Sequence, residues 1–401
     1  MCIRDSYDVI VIGGGPIGAV AAREAAKAGA RTLLVERRKE VKGPIACTGL
    51  VSPRTIPTLG ASSESILREI RAVEGHAPVG STLLLRADQV KGVVIDRISL
   101  EAELLAAAES AGVELLLGTE GRVEKGGVAT LISDQGEERA NGKVIIGADG
   151  PRSGIAAKFG LSSSAPPLLT IQVEIEATPK EKDKVDIYFG RELAPGFFAW
   201  AVPAEPDRVR AGLAVPAGTN PQPLIERFLS SHFPSSDVLS RVSGLIPSRP
   251  VSRSVADRLI LVGDAAGQVK PLTGGGLYTG GLCATIAGRV AAGASLSGRT
   301  DMAGLMEYEA EWRAAIGSEI RFGLASRDAL TPLDDEGINT VFLALDDPEL
   351  LRFIAKTGDI DRPSLLISAL IHRPWLWERV LPIIGIMDEQ RRARTGLEPL
   401  G

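Results

Sequence analysis

The sequence contains very few cysteines and no excess of positive charge. Its 401 residues include three cysteines, Cys2, Cys47 and Cys283, whose spacing shows no pairing pattern. This argues against a disulfide-stabilised secreted scaffold and favours a reducing, cytoplasmic compartment. The formal net charge is −5 and no long basic run is present, so no nucleic-acid partner is expected.

Long apolar runs and metal-ligand patterns are also missing. One long uncharged stretch, residues 271–288, is too rich in glycine and threonine for a transmembrane span. Residues 363–387 are strongly apolar but are interrupted by Arg373, Glu378 and Arg379. This segment either lies on a membrane surface, as a peripheral membrane contact, or forms a helical pair packed on the core. The three histidines are scattered, so no metal site is predicted.

The order of apolar segments predicts an α/β fold that is α+β overall. Residues 7–12 form a continuous apolar run typical of a buried strand, and a glycine-rich turn, an alanine-rich helix and a second strand ending at Glu36 follow. From about residue 165 the pattern changes to alternating β segments typical of an antiparallel sheet. Residues 258–264 return to the buried-strand pattern, which makes the first domain discontinuous.

The predicted architecture is therefore a Rossmann-like nucleotide-binding domain with an inserted antiparallel substrate domain and a helical C-terminal region. The nucleotide-binding domain takes residues 7–164 and 256–300. The inserted sheet takes residues 165–255, and the helical region takes residues 301–401.

A glycine-rich turn follows the first strand and opens a helix. Gly13, Gly15 and Gly18 occur as Gly-x-Gly-x-x-Gly. The first permits a tight turn, the second lets the backbone approach a pyrophosphate, and the third allows close packing of helix on strand. Glu36 has the spacing expected of a residue that accepts hydrogen bonds from ribose hydroxyls, and neighbouring Arg37 would stack on adenine. Together these features predict a dinucleotide site.

A second glycine-rich element favours FAD over NAD. Residues 262–277 place Asp264 after a buried strand and three glycines before a helix. Asp264 would bind the ribityl hydroxyls of a flavin. The glycines would let the isoalloxazine approach the helix, whose N-terminal dipole would stabilise a reduced, anionic flavin. A nicotinamide dehydrogenase has no need of this element, so FAD is the predicted cofactor.

These elements resemble those of flavoproteins related to para-hydroxybenzoate hydroxylase. The glycine-rich turn, a helix that begins near Arg97, GADG at 147–150 and VGDAAG at 262–267 occur in the same order. The resemblance implies that Arg97 holds the pyrophosphate side of FAD. It also implies that Gly121 lies near the adenine through its backbone and that Asp264 binds the ribityl chain.

A finer resemblance is to the geranylgeranyl reductase family. Residues 44–47 match that family's Pro-x-x-Cys segment. Residues 195–203 keep both prolines and Trp200 of its Pro-x-x-Tyr-x-Trp-x-Phe-Pro pattern, while Phe198 and Val202 replace the Tyr and Phe. The resemblance implies FAD-dependent reduction of isoprenoid double bonds, in precursors of archaeal-type membrane phospholipids or in pigments and quinones. NADPH and reduced ferredoxin are both open as electron donors, and the sequence gives no indication of the oligomeric state.

The candidate contacts combine turn residues, helix starts and a strand. The candidate cofactor contacts are Gly13, Gly15, Ile17, Gly18, Glu36, Arg37, Ala46, Cys47, Gly49, Arg97, Gly121, Asp264, Gly275, Gly276 and Leu277. The candidate substrate contacts are Phe198, Trp200 and Val202, which strand alternation puts on one face. These three residues either line an apolar slot beside the flavin or belong to the core of the β domain.

Cys47 is the candidate catalytic residue, and three interpretations of it stay open. A thiol beside the flavin would donate or relay the proton that alkene reduction requires. Alternatively, it exchanges with the flavin as part of a disulfide pair, although no second cysteine is near in sequence, or it is a packed thiol without a chemical role.

Two other functions compete with isoprenoid reduction. The first is an aromatic monooxygenase or halogenase, although Trp200 stands alone where halogenases have Trp-x-Trp. The second is an electron-transfer flavoprotein acting on a quinone, which usually involves an iron–sulfur partner or domain. The sequence has no cysteine cluster for such a centre.

Overall fold

The computed structural model describes residues 3–371 and residue 385. Cys2 and most of the apolar segment 363–387 lie outside the described residues, so the two interpretations of that segment stay open. The strands are β1 (Ile3–Ile12), β2 (Thr32–Glu36), β3 (Leu50–Val51), β4 (Ile66–Ile70), β5 (Ala72–His76), β6 (Thr82–Arg86), β7 (Gly92–Ile95), β8 (Glu114–Leu117), β9 (Glu120–Glu124), β10 (Val128–Ser133), β11 (Gly136–Gly147), β12 (Leu168–Glu176), β13 (Lys184–Tyr188), β14 (Ala199–Glu205), β15 (Arg208–Val215), β16 (Val238–Ile246), β17 (Val255–Ala256) and β18 (Leu259–Leu261).

Helices connect the sheets and form most of the C-terminal part. They are α1 (Pro16–Lys27), α2 (Thr55–Leu59), α3 (Arg97–Ser110), α4 (Gly154–Lys158), α5 (Gln222–His232), α6 (Leu277–Ser297), α7 (Met302–Leu330), α8 (Asp335–Leu345), α9 (Pro348–Thr357) and α10 (Ser364–Ile371). Among these helices, none combines the length and the apolar composition needed to cross a bilayer.

The first sheet has eight strands and is parallel through its centre. Along the path β17-β18-β11-β1-β2-β8, every pair from β18 to β8 is parallel, and β10 and β9 extend the sheet from β11 as antiparallel strands. Strand β18 enters this sheet only after β12 to β16 have formed a second sheet. The predicted discontinuous, Rossmann-like organisation is therefore confirmed.

Both faces of the first sheet are covered, which explains the unbroken apolar run at its start. On β1, Val9 and Val11 pack in the cluster that includes the alanine-rich helices α1 and α6. Ile10 and Ile12 pack in the cluster on the opposite face. A strand buried on both sides has no polar face, so its sequence shows no alternation. The strand begins at Ile3, four residues before the predicted start.

The second sheet has seven strands in the order β16-β12-β15-β14-β13-β5-β6. Its pairs are antiparallel except for β13 and β5, which run parallel. Strands β5 and β6 come from residues 72–86, within the range that the sequence assigned to the first domain. The chain thus crosses between the two sheets before residue 165, and the domain boundaries stay a prediction. The strands of a small third sheet, β3-β7-β4, flank β5 and β6 in sequence.

The faces of the second sheet have different environments. Ala199 and Ala201 of β14 belong to the cluster that includes Ile225 and Phe228 of α5. The alternate residues of β14 belong to a separate apolar cluster on the other face. That second face lines the cavity described next.

Candidate functional site

A cavity of about 560 Å³ lies where the glycine-rich turn of the first sheet faces the second sheet. Of the predicted contacts, fourteen line it: Gly15, Ile17, Gly18, Arg37, Ala46, Cys47, Arg97, Phe198, Trp200, Val202, Asp264, Gly275, Gly276 and Leu277. Gly13, Glu36, Gly49 and Gly121 do not line it. The structure therefore brings together elements from five widely separated parts of the chain.

The glycine-rich turn is shaped by close backbone contacts. Gly13 has φ +108°, and a Cβ there would lie 2.2 Å from the carbonyl oxygen of Ala148. A Cβ at Gly18 would lie 1.8 Å from the carbonyl oxygen of Gly13. At Gly15, by contrast, nothing lies within 4 Å of such an atom, because this residue borders the open cavity. The first and third glycines thus hold the turn together, and the second leaves space for a ligand.

Two helices start at the cavity without a side-chain cap. Gly15 precedes α1 and Gly276 precedes α6, and neither N-terminus is capped by a side-chain hydrogen bond. Helices α3, α7, α8 and α9 are each preceded by an aspartate whose side chain accepts such a bond. The free N–H groups and the dipoles of α1 and α6 therefore favour electron-rich groups in the cavity.

Glu36 is fixed to the turn. Its Oε2 accepts a hydrogen bond from the Gly14 N–H at 2.7 Å. Its Oε1 accepts from the backbone N–H of Arg38 at 2.8 Å and from Arg38 Nε at 3.0 Å. Both oxygens already have partners, and the adjacent cavity wall consists of Arg37 and Arg38.

Arg97 is held by a buried carboxylate one helical turn away. Its Nη2 donates to Glu101 Oε1 at 2.5 Å, and Glu101 Oε2 accepts from Arg38 Nη1 at 2.9 Å. Burial opposes the charge, but the neighbouring Cys47 and Glu101 raise the pKa of the Arg97 guanidinium above its usual value. The Nε of Arg97 is buried and has no partner among the described residues. One donor of a fixed cation is thus available to an anionic ligand.

Asp264 supplies an acceptor on the opposite side of the turn. Burial raises the pKa of its carboxyl to about 6, and the charge of Arg97 partly offsets this shift. A Cβ at Gly276 would lie 3.0 Å from Asp264 Oδ1, which is close for any side chain. The carboxyl accepts no hydrogen bond from a described residue, so it is free to accept bonds from ligand hydroxyls.

The Cys47 loop is positioned by the second sheet. Gln172 Nε2 donates to the carbonyl of Cys47 at 3.0 Å, and Arg210 Nη1 donates to the carbonyl of Thr48 at 2.9 Å. The Sγ of Cys47 accepts a hydrogen bond from the Gly49 N–H at 3.4 Å. Gly49 has φ +75°, and a Cβ there would lie 2.6 Å from Arg210 Nη1, so its role is to admit this arginine.

The other described cysteine does not extend this thiol chemistry. Cys283 is fully buried on α6, where burial raises the pKa of its thiol well above its usual range. Cys47 and Cys283 are both unpaired.

The predicted substrate contacts form an apolar wall of the cavity. Trp200 and Val202 are buried in one cluster with Phe198 packed against it, while Ala199 and Ala201 face the opposite cluster. The Phe198 ring meets the Trp200 ring edge-to-face at 6.1 Å. Both interpretations of these residues therefore hold in part, because they pack in a core cluster and also line the cavity. Strands β13 and β16 extend the wall with Val185, Ile187, Leu245 and Ile246.

The remaining predicted contact serves packing. Gly121 lies on β9, and a Cβ there would lie 2.6 Å from Ile12 Cδ1. Its backbone therefore lies against the Ile12 side chain of β1, and it does not line the cavity.

Several lining or supporting residues were not predicted. Gln172, Arg38 and Glu101 lie in no recognisable motif. Lys270 Nζ lies 2.8 Å from Oδ1 of Asp361, a residue of the C-terminal region. Ile360, next to that aspartate, also lines the cavity.

One cluster of potential metal ligands occurs among the described residues. Glu74, His76 and Asp186 bring their ligand atoms within 4.8 Å of one another. Lys184 forms ion pairs with Glu74 and Asp186, and His76 Nε2 lies 2.8 Å from Asp186 Oδ1. Both carboxylates are thus already paired with a cation of the protein itself.

The donor set of the cavity fits FAD. The uncapped start of α1 and the free Nε of Arg97 suit a pyrophosphate, and Asp264 suits a ribityl chain. The uncapped start of α6 suits the electron-rich ring of a reduced flavin.

Comparison with known proteins gives a consistent result. The FAD binding domain family matches residues 6–321. Digeranylgeranylglycerophospholipid reductase 2 of Methanothermobacter thermautotrophicus is 33% identical over 359 residues, which cover 86% of this chain and 93% of the relative. Digeranylgeranylglycerophospholipid reductase of Methanothrix thermoacetophila is 30% identical over 392 residues, covering 92% and 98%. A geranylgeranyl bacteriochlorophyll reductase-like protein from Thermoplasma acidophilum superposes with a TM-score of 0.82 at 22% identity, covering 95% and 99%.

Proposed function

Because the chain belongs to the FAD-binding family that includes the digeranylgeranylglycerophospholipid reductases, we propose that it is an FAD-dependent oxidoreductase that saturates the C=C bonds of geranylgeranyl chains. The resemblance inferred from residues 44–47 and 195–203 is confirmed by these relatives. The observation that carries the function is the position of Phe198, Trp200 and Val202. They form an apolar wall in the same cavity as the two glycine-rich elements.

FAD, once reduced, supplies hydride for addition to an alkene. This chain's contribution is to bind and orient the cofactor through the start of α1, Arg97 and Asp264. Glu101 holds Arg97 in place from one helical turn away. The second sheet forms the opposite side of the cavity and lines it with apolar side chains.

The substrate is an isoprenoid lipid, a precursor of membrane phospholipids. Its chains are hydrocarbon, so burial of apolar surface supplies most of the binding free energy, at about 25 cal/mol per Å² before ordering costs. The wall formed by β13, β14 and β16 provides that surface. The polar head of the lipid would remain nearer to solvent.

Cys47 is the proposed proton donor. Its Sγ borders the cavity beside the buried guanidinium of Arg97, and its loop is held by Gln172 and Arg210. A thiol at a fixed position can deliver a proton to one alkene carbon from Sγ. Protons from solvent would then restore the thiol.

The electron donor is NADPH or reduced ferredoxin, and the enzyme acts in the cytoplasm with peripheral contact to the membrane that holds its substrate. These proposals rest on the resemblance and on the apolar segment 363–387. Bleaching of the FAD absorbance, measured anaerobically with each donor in turn, separates the two donors.

The function is tested by single-turnover reduction of a defined lipid. The FAD-loaded protein is reduced with dithionite under anaerobic conditions and mixed with digeranylgeranylglycerophospholipid in detergent micelles. We expect mass spectrometry to show lipid that has gained two hydrogen atoms per reduced bond. Unchanged lipid, together with a hydroxylated or halogenated product when oxygen, halide and an aromatic substrate are supplied, would instead identify a monooxygenase or halogenase.

A further inference from the structure

Trp200 presents a buried hydrogen-bond donor to the cavity. The residue is 7% exposed, and its indole Nε1 has no hydrogen-bond partner among the described residues. The ring lies over Gly212, since a Cβ at that glycine would be 2.6 Å from the indole Cε2. Because Cε2 is bonded to Nε1, the N–H lies close to the backbone of β15. Burying such a donor without an acceptor is unfavourable, so it requires an explanation.

Gln172 presents a buried acceptor to the same cavity. The residue is also 7% exposed, and its Oε1 has no partner among the described residues. The orientation of the amide is fixed, because Nε2 donates to the carbonyl of Cys47 at 3.0 Å and a carbonyl can only accept. The unpartnered atom is therefore the oxygen.

The donor and the acceptor lie in one row across three neighbouring strands. Gln172 of β12 pairs with Gly212 of β15, and Gly212 pairs with Trp200 of β14. Residues that pair directly across a sheet project from the same face, and neighbouring strands lie about 4.8 Å apart. Because the glycine in the middle position has no side chain, the Trp200 ring can extend over it towards the Gln172 side of the row. Both side chains line the cavity, and they do not hydrogen-bond to each other.

We propose that Trp200 and Gln172 together bind one hydroxyl group in this otherwise apolar part of the cavity. A hydroxyl oxygen accepts a bond from the indole N–H, and its hydrogen is donated to the amide oxygen, so one group satisfies both atoms. The hydroxyl belongs to a prenyl alcohol or to a water molecule that stays bound when a hydrocarbon chain enters. This inference rests on the proposed function and deepens it, because it adds hydroxyl-bearing isoprenoids to the ligands of the same slot.

The test measures binding without turnover. Oxidised, FAD-loaded protein is titrated calorimetrically with geranylgeraniol and with the hydrocarbon that lacks only its hydroxyl. If the prenyl alcohol is the source, we expect it to bind about tenfold more tightly than the hydrocarbon. In Trp200→Phe and Gln172→Met the affinity ratio should fall to about one. Since each ratio is taken within one variant, the lost contact of Gln172 to the Cys47 loop cancels.

Val202→Ala is the matched control. It removes apolar surface from the same strand face without touching the donor–acceptor pair, so it should weaken both ligands and leave their ratio unchanged. Retention of the flavin spectrum in each variant confirms that the cavity is intact.

A high-resolution crystal structure of the FAD-loaded wild-type protein with the hydrocarbon bound separates the two sources. An equal affinity for both ligands, with a water molecule bonded to Trp200 Nε1 and Gln172 Oε1, supports the site and identifies water as its occupant. Equal affinities without such a water, or an edge of the flavin bonded to both atoms, would overturn the inference. Reduction of the lipid is measured separately, so the proposed function can stand when this inference fails.

Discussion

Glu101 fixes Arg97 through a hydrogen bond of 2.5 Å between Oε1 and Nη2, one turn apart on α3. The carboxylate is 3% exposed and also accepts a bond from Arg38, whose Nε reaches Glu36. A continuous chain of charged groups thus links the end of β2 to the cation proposed to bind the pyrophosphate. Glu101, which joins Arg38 to Arg97 in this chain, lies in no sequence motif, but it determines the orientation of the Arg97 side chain.

Glu101→Gln should weaken FAD binding by about tenfold or more and lower the free energy of unfolding by about 3 kcal/mol. Removing the carboxylate charge leaves the largely buried guanidinium of Arg97 without its countercharge, while Arg38, which is 34% exposed, keeps its pair with Glu36. Both quantities follow from flavin fluorescence titration and chemical denaturation. Glu109→Gln, at an exposed position of the same helix, should change neither. If the two variants had the same FAD affinity and the same free energy of unfolding, the chain of charged groups would contribute to neither quantity.

Asp264→Asn should make the apoprotein more stable at neutral and alkaline pH. The pKa of Asp264 is raised to about 6 in the folded state, above its ordinary value of 3.8. Between these values the folded state binds more protons than the unfolded state, so the wild-type protein loses stability as pH rises through this window. Because asparagine carries no charge, the variant does not undergo this loss of stability, which amounts to at most about 3 kcal/mol.

Denaturation of both apoproteins at about pH 4 and about pH 8 checks this sign. The asparagine variant should gain its advantage only at the higher pH. A stability difference that is the same at both pH values would show that the carboxyl is not the cause. The same variant should bind FAD more weakly, because the acceptor proposed for the ribityl chain loses its charge.

Cys47→Ala should slow single-turnover alkene reduction by the prereduced enzyme about 100-fold. This factor is at the lower end of the range expected when a general acid is removed. Cys47→Ser should recover part of the rate, since a hydroxyl retains a transferable proton. Cys283→Ala removes the buried thiol of α6 and serves as the control, with an expected rate equal to wild type. An unchanged rate constant in Cys47→Ala would leave the residue as a packed thiol.

The parts of the site that depend on local spacing were predictable from sequence. Gly15, Gly18 and Asp264 lie in motifs whose order along the chain determines their convergence beyond the ends of the parallel strands β1 and β18, and Arg97 joins them at the start of α3. Alternation on β14 likewise separated the Trp200 face from the alanine face. These predictions succeed because strand alternation and turn conformation depend on residues that are neighbours in the sequence.

Features that depend on tertiary partners were not predictable. The spacing of Glu36 fits a ribose contact, but it does not reveal that both oxygens bind Gly14 and Arg38. Gln172 looks like any polar residue of a strand until β12 is placed against the Cys47 loop. Strand β5, with the sequence AVEGH, is short and polar, and it forms a strand because it pairs with β13 and β6.

The contact between the C-terminal region and the cavity leads to a last prediction. Asp361 has no exposed side-chain surface and pairs with Lys270, which lines the cavity and is 13% exposed. Asp361→Asn removes the countercharge of a buried ammonium, so the free energy of unfolding should fall by about 3 kcal/mol. Asp328→Asn breaks a solvent-exposed pair with Arg249 and should cost less than about 1 kcal/mol.

Asp361→Asn should also loosen the segment around Ile360, which lines the cavity. Lys270 Nζ donates to the carbonyl of Ile360 at 3.2 Å, and Ile360 lines the cavity, so a weaker pair frees this segment. Limited proteolysis with detection of new termini near residue 360 should therefore show faster cleavage in Asp361→Asn than in Asp328→Asn. Equal cleavage and equal unfolding free energies in the two variants would mean that the buried pair does not hold the segment.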